Sequence, residues 1–273
     1  MASHSPATQS TDMSTSYVPP KVWQWQPKED NKFASINRPT AGARFERELP
    51  VGQHPLQLYS LATPNGQKVT ILLEELLQKG IAGAEYDAWL IDIGEGDQFG
   101  SGFVAVNPNS KIPALVDRGV SPAIPVFESG AILLYLADKT GSFIPAEPAR
   151  RWECIQWVFF QMASIGPMFG QLGYFNKFAG REIADKRPRE RYANESKRLL
   201  AVLEARLAGR DWIMGDDYGI ADIATLGWVN NLITFYEARE LVDYDRLVHV
   251  PAWLERGMAR PAVARGLQIP RRG

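Results

Sequence analysis

The clearest signals in the chain are periodicities. From Leu56 to Leu61, LQLYSL alternates apolar and polar positions, the two-residue repeat of a strand with one buried face. After ATPNGQ, the segment VTILLEELLQKG sets Val69, Leu72, Leu73, Leu76 and Leu77 on one helical face, and Gly80 marks its end. EYDAWLI, from Glu85 to Ile91, reads as a second strand, and the β-α-β run has the length of a right-handed parallel crossover. After a loop, PALVD and PVFES supply two short strands separated by a turn region from Gly119 to Pro125, and AILLYLADKTG is a helix ending at Gly141. SFIPAEP, with Pro145 and Pro148, is a linker. Beyond it the spacing is helical throughout: Trp152, Ile155, Phe159 and Met162, then Tyr192, Leu199, Leu203 and Leu207. GIADIATLGWVNNLITF is apolar on several faces, which predicts a buried central helix, and VPAWLERGMARPAV closes the domain.

The order β-α-β, then β-β-α, predicts an α/β domain of thioredoxin-like type with a mixed four-stranded sheet over 55–145. An all-α domain follows over 146–264, with a tail over 265–273. Residues 1–17 are rich in Ser, Thr and Ala and are expected to be disordered. Residues 18–54 carry Trp23, Trp25, Phe33, Ile36 and Phe45 among prolines, which suits an extended arm packed on the core or on a partner subunit.

Composition narrows the chemistry. In 273 residues, 30 Lys and Arg balance 31 Asp and Glu, so there is no basic footprint for nucleic acid. No apolar run is long enough for a membrane span, and the first residues lack the apolar core of a signal peptide, so a cytoplasmic protein is expected. The single cysteine, Cys154, excludes an internal disulfide, a CxxC pair and a thiolate zinc cluster. His4, His54 and His249 have no metal-ligand spacing, and no GxSxG elbow accompanies them. No metal is expected. Cys154 lies among Trp152, Ile155 and Trp157 and reads as a packed thiol.

Four short motifs remain: Thr63-Pro64-Asn65-Gly66, Asn107-Pro108-Asn109-Ser110-Lys111-Ile112-Pro113, Phe127-Glu128-Ser129-Gly130 and Gly219-Ile220-Ala221-Asp222. Their order and spacing resemble the cytosolic glutathione transferase family from 55 to about 264. TPNG with Gly96-Asp97-Gln98-Phe99 is similar to its Nu class, known for disulfide-bond oxidoreductase activity. The fold implied is the glutathione transferase fold, and the implied assembly is a homodimer. The implied co-substrate is glutathione, two molecules or one glutathione disulfide per site.

The resemblance also implies roles. Pro113 cannot donate to a ladder. It is either an ordinary turn proline or the family's cis-proline, which would present the Ile112 N–H and C=O to a peptide ligand. Ser129 reads as a helix N-terminal cap by composition. By resemblance it takes the γ-glutamyl carboxylate, with the ammonium near Glu128. Lys111 and Gln98 are candidates for the glycine carboxylate. Arg191 is either a further ligand residue or a surface-helix arginine. Thr63 and Asn65 would stabilise the thiolate of bound glutathione, since a free thiol is only a few per cent ionised at neutral pH. Without the other motifs TPNG would be merely a capped turn. The family usually has Ser or Thr where Gly219 stands.

The resemblance implies a glutathione-dependent disulfide-bond oxidoreductase acting on small disulfides, with weak hydroperoxide reduction as a side activity. One alternative is a transferase conjugating glutathione to electrophiles, with Phe159, Phe160, Met168, Phe169, Tyr174 and Phe175 as acceptor pocket. The other is a non-catalytic binding or regulatory protein.

Overall fold

The structure, a computed structural model, describes residues 18–26, 36, 38–180 and 182–271. Residues 1–17 and Phe33, for which the sequence carries expectations, lie outside the described residues. The chain forms two units, Met1–Thr40 and Ala41–Gly273. Within the first, the Arg38 guanidinium stands 5.8 Å over the Trp25 ring.

The second unit opens on a four-stranded sheet of β1 (Leu56–Ser60), β2 (Tyr86–Leu90), β3 (Ala114–Asp117) and β4 (Ile124–Phe127) in the order β2-β1-β3-β4. β1 and β2 are parallel; β3 is antiparallel to both β1 and β4. The helices are α1 (Pro64–Gln78), α2 (Ser101–Val106), α3 (Ser129–Thr140), α4 (Pro148–Phe160), α5 (Gly166–Gly173), α6 (Arg187–Leu207), α7 (Ile220–Ile233), α8 (His249–Met258) and α9 (Pro261–Gly266). The thioredoxin-like layer therefore comes first and a helical layer follows. Gly80 and Gly141 stop α1 and α3 with φ of 72° and 59°, a conformation glycine adopts at no steric cost. α7 is the central helix its sequence predicts, with Ile220 to Val229 all buried.

Three elements depart from the pattern. The alternation in β1 predicts one solvated face, yet all five residues are buried. Residues 41–54 cover the second face. The Tyr59 hydroxyl donates to Pro50 O at 2.8 Å. The Gln57 amide is saturated: it donates to His54 O and Asp87 Oδ2, and accepts from Gly52 N and Trp89 Nε1. A polar side chain can be buried on those terms. The arm continues along residues 97–102, with Arg44 N donating to Phe99 O and Ser101 N to Phe45 O. α2 occupies part of the expected loop and, with Tyr59, Ile91 and Ala114, closes a small core on this face around Phe103.

α1 is the second departure. It begins at Pro64, ahead of its apolar stripe, so TPNG is a helix start. Pro64 stands at N1, where its missing N–H costs nothing. A Cβ at Gly66 would lie 2.0 Å from Leu61 O, so only glycine fits beneath the end of β1. The third is the C-terminal tail, which folds back on α1. Thr70 Oγ1 donates to Gly266 O at 2.6 Å, and Arg265 pairs with Glu74 at 2.7 Å.

Candidate functional site

Sheet register brings the motifs together. β3 starts at Ala114, opposite Tyr59 near the end of β1 and Phe127 at the end of β4. Thr63, Ile112-Pro113 and Glu128-Ser129 therefore leave the sheet at one edge. The Ile112–Pro113 bond is cis, and the ladder begins only at Ala114, so the Ile112 backbone lies outside the strand register. The Asn107 side chain shapes this loop, accepting from Asn109 N at 2.9 Å and donating to Lys111 O. Asn109 Nδ2 reaches Glu128 Oε1 at 3.4 Å, tying the loop to the start of α3.

At the start of α1, Thr63 is the N-cap, and its Oγ1 accepts from Gly66 N at 3.4 Å. A hydroxyl that accepts still has its own proton to donate. Asn65 Oδ1 accepts from Trp228 Nε1 at 2.9 Å. An indole N–H can only donate, so the amide orientation is settled by chemistry and the Asn65 NH2 group is left for the cavity. Thr63 and Asn65 line a cavity of about 880 Å³, with Leu61, Ile93 and Trp228. Phe178, Phe235 and Tyr236 give it an aromatic side, and Gln268, Pro270 and Arg271 of the tail close it.

At the start of α3, the cap position belongs to Glu128, not to Ser129 as composition suggests. Glu128 adopts φ 68°, ψ 119°, and no side chain caps the helix. The first N–H groups of α3 are thus not taken by a cap and suit an anion. Ser129 is buried and turned inward: its Oγ accepts from Lys68 Nζ at 3.1 Å. Lys68 also donates to Gln161 Oε1 and lies 3.1 Å from Met162 Sδ. Burial pushes the Lys68 amine down to about 7, and the nearby Glu128 carboxylate partly opposes this.

Other expected residues fall differently. Lys111 is exposed on its loop. Gln98 is buried, and its amide donates weakly to Ile93 O at 3.5 Å, one layer behind the cavity wall. Arg191 is exposed on α6, its charge felt by Glu195 one turn on; it is not among the cavity-lining residues. The six residues expected to form an acceptor pocket are not among those lining this cavity. Phe169 is in the core, Phe160 packs edge-on against Trp157, Phe175 stacks on Tyr192 and Phe159 faces solvent. Helical spacing aimed these rings at other helices. The cavity takes its rings from Phe178, Trp228, Phe235 and Tyr236, which carry no motif of their own. Lys68 did leave a trace: it shares a stripe with the buried Ile71, Leu72 and Glu75. A lysine at that spacing is either snorkelling or paired.

Cys154 is fully buried, and burial pushes its thiol up to about 11. Gly219 lacks the usual cap side chain for a physical reason. A Cβ there would lie 2.6 Å from Phe143 O. Asp222 performs its half of the box, accepting from Gly219 N at 3.1 Å, and also from Ile213 N and Trp253 Nε1. Among the described residues no cluster of His, Cys, Asp or Glu could hold a metal, and no helix is long and apolar enough to cross a membrane.

Comparison with known proteins identifies the family. The glutathione S-transferase N-terminal domain matches residues 54–138 and the C-terminal domain residues 167–261. The disulfide-bond oxidoreductase YghU of Escherichia coli is 51% identical over 257 residues, 93% of this chain and 88% of that protein. The crystal structure of glutathione transferase YghU from Streptococcus pneumoniae, complexed with glutathione, is 46% identical, covers 93% of this chain and 97% of that one, and superposes with a TM-score of 0.87. A glutathione transferase from Burkholderia graminis, with two glutathione molecules bound per subunit, is 58% identical, covers 81% of this chain and 90% of that one, and has a TM-score of 0.76.

Proposed function

Since the chain belongs to the glutathione S-transferase family, we propose that it is a glutathione-dependent disulfide-bond oxidoreductase of Nu-class type. The observation that carries this reading is the pair of donors at the start of α1: the Thr63 hydroxyl, and the Asn65 amide oriented by Trp228. They face a cavity with room for more than one tripeptide arm, and the relative with two glutathione molecules per subunit supports that stoichiometry.

The sulfur comes with the ligand, because Cys154 is buried and its thiol is held protonated. One glutathione thiolate, stabilised by Thr63, Asn65 and the helix N-terminus, attacks a sulfur of a small disulfide. A mixed disulfide forms and the substrate's other sulfur leaves as thiolate. The second glutathione thiolate attacks the glutathione sulfur of the mixed disulfide. This releases the second substrate thiolate and leaves glutathione disulfide in the site. Each leaving thiolate takes one proton, so one disulfide and two thiols become two thiols and one disulfide. Ile112 would pair with the ligand backbone beside cis-Pro113, and Glu128 and Ser129 would hold the γ-glutamyl end. Lys111, Gln98 and Arg191 are assigned the remaining ligand contacts by family resemblance alone, with Lys111 and Gln98 at the glycine carboxylate.

We further assign a cytoplasmic location and a homodimer. The exposed apolar residues Ile124 and Phe127 on the free edge of the sheet, with Trp152 and Phe159 on α4, support the dimer. The decisive experiment compares two reactions. Fast reduction of 2-hydroxyethyl disulfide with slow conjugation of chlorodinitrobenzene is the expected result. The reverse ratio makes the protein a conjugating transferase with an aromatic acceptor wall. Binding of glutathione without either activity makes it a non-catalytic member of the family.

A further inference from the structure

Lys68 is an ammonium buried among neutral partners. Its side chain is 1% exposed, and its nitrogen touches Ser129 Oγ, Gln161 Oε1 and Met162 Sδ. Among the described residues it has no ion pair within 4.0 Å. A buried cation without a contacting anion is costly, and proteins retain one where something is gained from it. The neighbourhood is built with care. Gln161 and Met162 lie on a π-helical turn, Gln161–Ile165, inserted between α4 and α5. Such turns re-aim side chains and recur at functional sites. A Cβ at Gly130 would lie 2.8 Å from Met162 Cγ, so the glycine after Ser129 lets this turn approach α3. Gln161 is itself fully buried, and its Nε2 has no partner among the described residues.

The hydrogen-bond direction at Ser129 follows from the cation. An ammonium only donates, so a charged Lys68 obliges Ser129 Oγ to accept. The serine proton then has only the Met162 thioether, 3.5 Å away, a weak acceptor that a carboxylate can displace. A neutral amine has a lone pair and can take that proton for itself. The charge thus decides whether Ser129 is a donor to a ligand.

We propose that Lys68 is a positioning residue for the γ-glutamyl carboxylate: its ammonium, bonded to Ser129 from behind, turns the serine hydroxyl into a donor and supplies the positive charge that the uncapped start of α3 needs to hold an anion. This rests on the glutathione reading above and extends it to a residue that does not touch the reacting sulfur. The helix terminus alone is a weak anion site; a buried cation beside it makes it strong and pH-dependent. The groups packed around Lys68 leave few rivals for that dependence. Ser129, Gln161 and Met162 do not titrate in the working range, and Glu128 is the carboxylate whose field reaches it. Anion binding draws a proton onto the amine, which burial otherwise holds near neutrality.

The test uses full-length protein and glutathione disulfide, which has no thiol to titrate. Calorimetric affinity is measured from about pH 6.5 to about pH 9 for wild type, Lys68→Met and Lys68→Arg. Wild-type affinity should fall as pH rises. Lys68→Met, which keeps the stem but not the charge, should bind about tenfold or more weakly at the low end and lose most of the pH dependence. Lys68→Arg, permanently charged, should bind at the high end better than the methionine variant. In turnover, Lys68→Met should raise KM for glutathione more than it lowers kcat, a split that a purely structural role would not produce. Should either variant fail to fold, wild-type calorimetry near pH 8 in two buffers of different ionisation enthalpy decides: net proton uptake supports the proposal and its absence overturns it. Lys68→Met binding like wild type across the range overturns this inference alone. Wild type that takes no glutathione disulfide at any pH overturns the glutathione reading and this inference with it.

Discussion

Trp228 and Asn65 are 163 positions apart in sequence, and the indole of one donates to the amide oxygen of the other at 2.9 Å. This bond joins the central helix of the helical layer to the first turn of α1. On the proposed function it gives the helical layer a part in the chemistry, because the free end of the amide is held towards the cavity only while the other end is bonded. The same junction recurs at Lys68, which ties α1 to α3 and to the π-turn after α4. The motif-bearing end of the sheet is thus tied at two points to the helices behind it.

Replacing Trp228 by Phe keeps most of the ring volume and removes the donor. The Asn65 amide is then free to rotate, and one neutral hydrogen bond is lost. Reductase kcat/KM should fall about two- to tenfold. Glutathione disulfide affinity should change less, since the proposed role of the amide is towards the sulfur and not the peptide arms. Steady-state kinetics on Trp228→Phe, with circular dichroism to confirm the fold, checks this. An unchanged rate would mean that the amide orientation does not matter to the sulfur.

Thr63 is assigned two roles, one read in stability and the other in rate. Its oxygen caps α1 through a long bond to Gly66 N, 3.4 Å, and its proton is offered to the cavity. Thr63→Val removes both. The cap loss should cost about 0.5–1 kcal/mol, the low end of the range for such caps given the length of the bond. The rate loss should be larger, about tenfold or more, because the proposed partner of the hydroxyl is a charged sulfur. Thr63→Ser should retain stability and rate together. If Val and Thr enzymes turn over equally, the hydroxyl is a cap and nothing more.

Much of this arrangement is legible in the sequence. Periodicity is enough to place β1, β2 and α3, and the length of its apolar run places the buried α7. The motifs locate Thr63, Ile112-Pro113 and Glu128-Ser129, and the sheet register brings them to one edge. What the sequence hides is long-range. Gln57 looks like a solvent-facing position until residues 50–54 cover it. Trp228 sits in a helix buried on nearly every face, so periodicity says nothing about which way its N–H points. The ring-rich segment around Phe159 and Phe175 looks like a pocket wall, yet its rings pack on helices or face solvent. Gln268, Pro270 and Arg271 reach the cavity only because the tail folds back along α1.

Cys154 should prove silent in two ways. Its thiol is fully buried and pushed up to about 11, so a maleimide should leave the native protein unlabelled at neutral pH and label it on denaturation. Cys154→Ala should reduce disulfides at close to the wild-type rate. A native protein that labels quickly and loses turnover on labelling would move the attacking sulfur from the ligand to the chain.

Gly219 tests the reading of a departure from its family. Restoring serine there ought to add a cap, yet the added Cβ would meet Phe143 O at 2.6 Å. The backbone is extended, φ −159°, so the obstacle is the contact and not the conformation. Displacing a backbone carbonyl that already accepts from Ile220 N should cost about 1–3 kcal/mol, outweighing the few tenths gained by the cap. Urea unfolding of Gly219→Ser measures the balance. Increased stability would mean that the Phe143 segment yields at no cost.

The buried amine of Lys68 makes a prediction about stability as well as binding. Its folded pKa is lowered from 10.5 to about 7, chiefly by burial. Between those values the unfolded chain binds a proton that the folded chain does not. The derivative of unfolding free energy with pH is proportional to protons bound by the unfolded state minus those bound by the folded state, so it is positive here. In the ligand-free protein this group alone should therefore make stability rise from about pH 7 towards about pH 10, with a slope of up to about 1.4 kcal/mol per unit. Tyr86, pushed above its ordinary value by burial and by Glu74, acts in the opposite sense only above its unfolded value of 10.0. The contribution is isolated as the difference between wild type and Lys68→Met in denaturant titrations across the window. Saturating glutathione disulfide should flatten that difference, because a carboxylate in place keeps the amine protonated in the folded state too. A flat difference without ligand would mean that the fold already stabilises the charged amine, and the cation would then be a fixed part of the site.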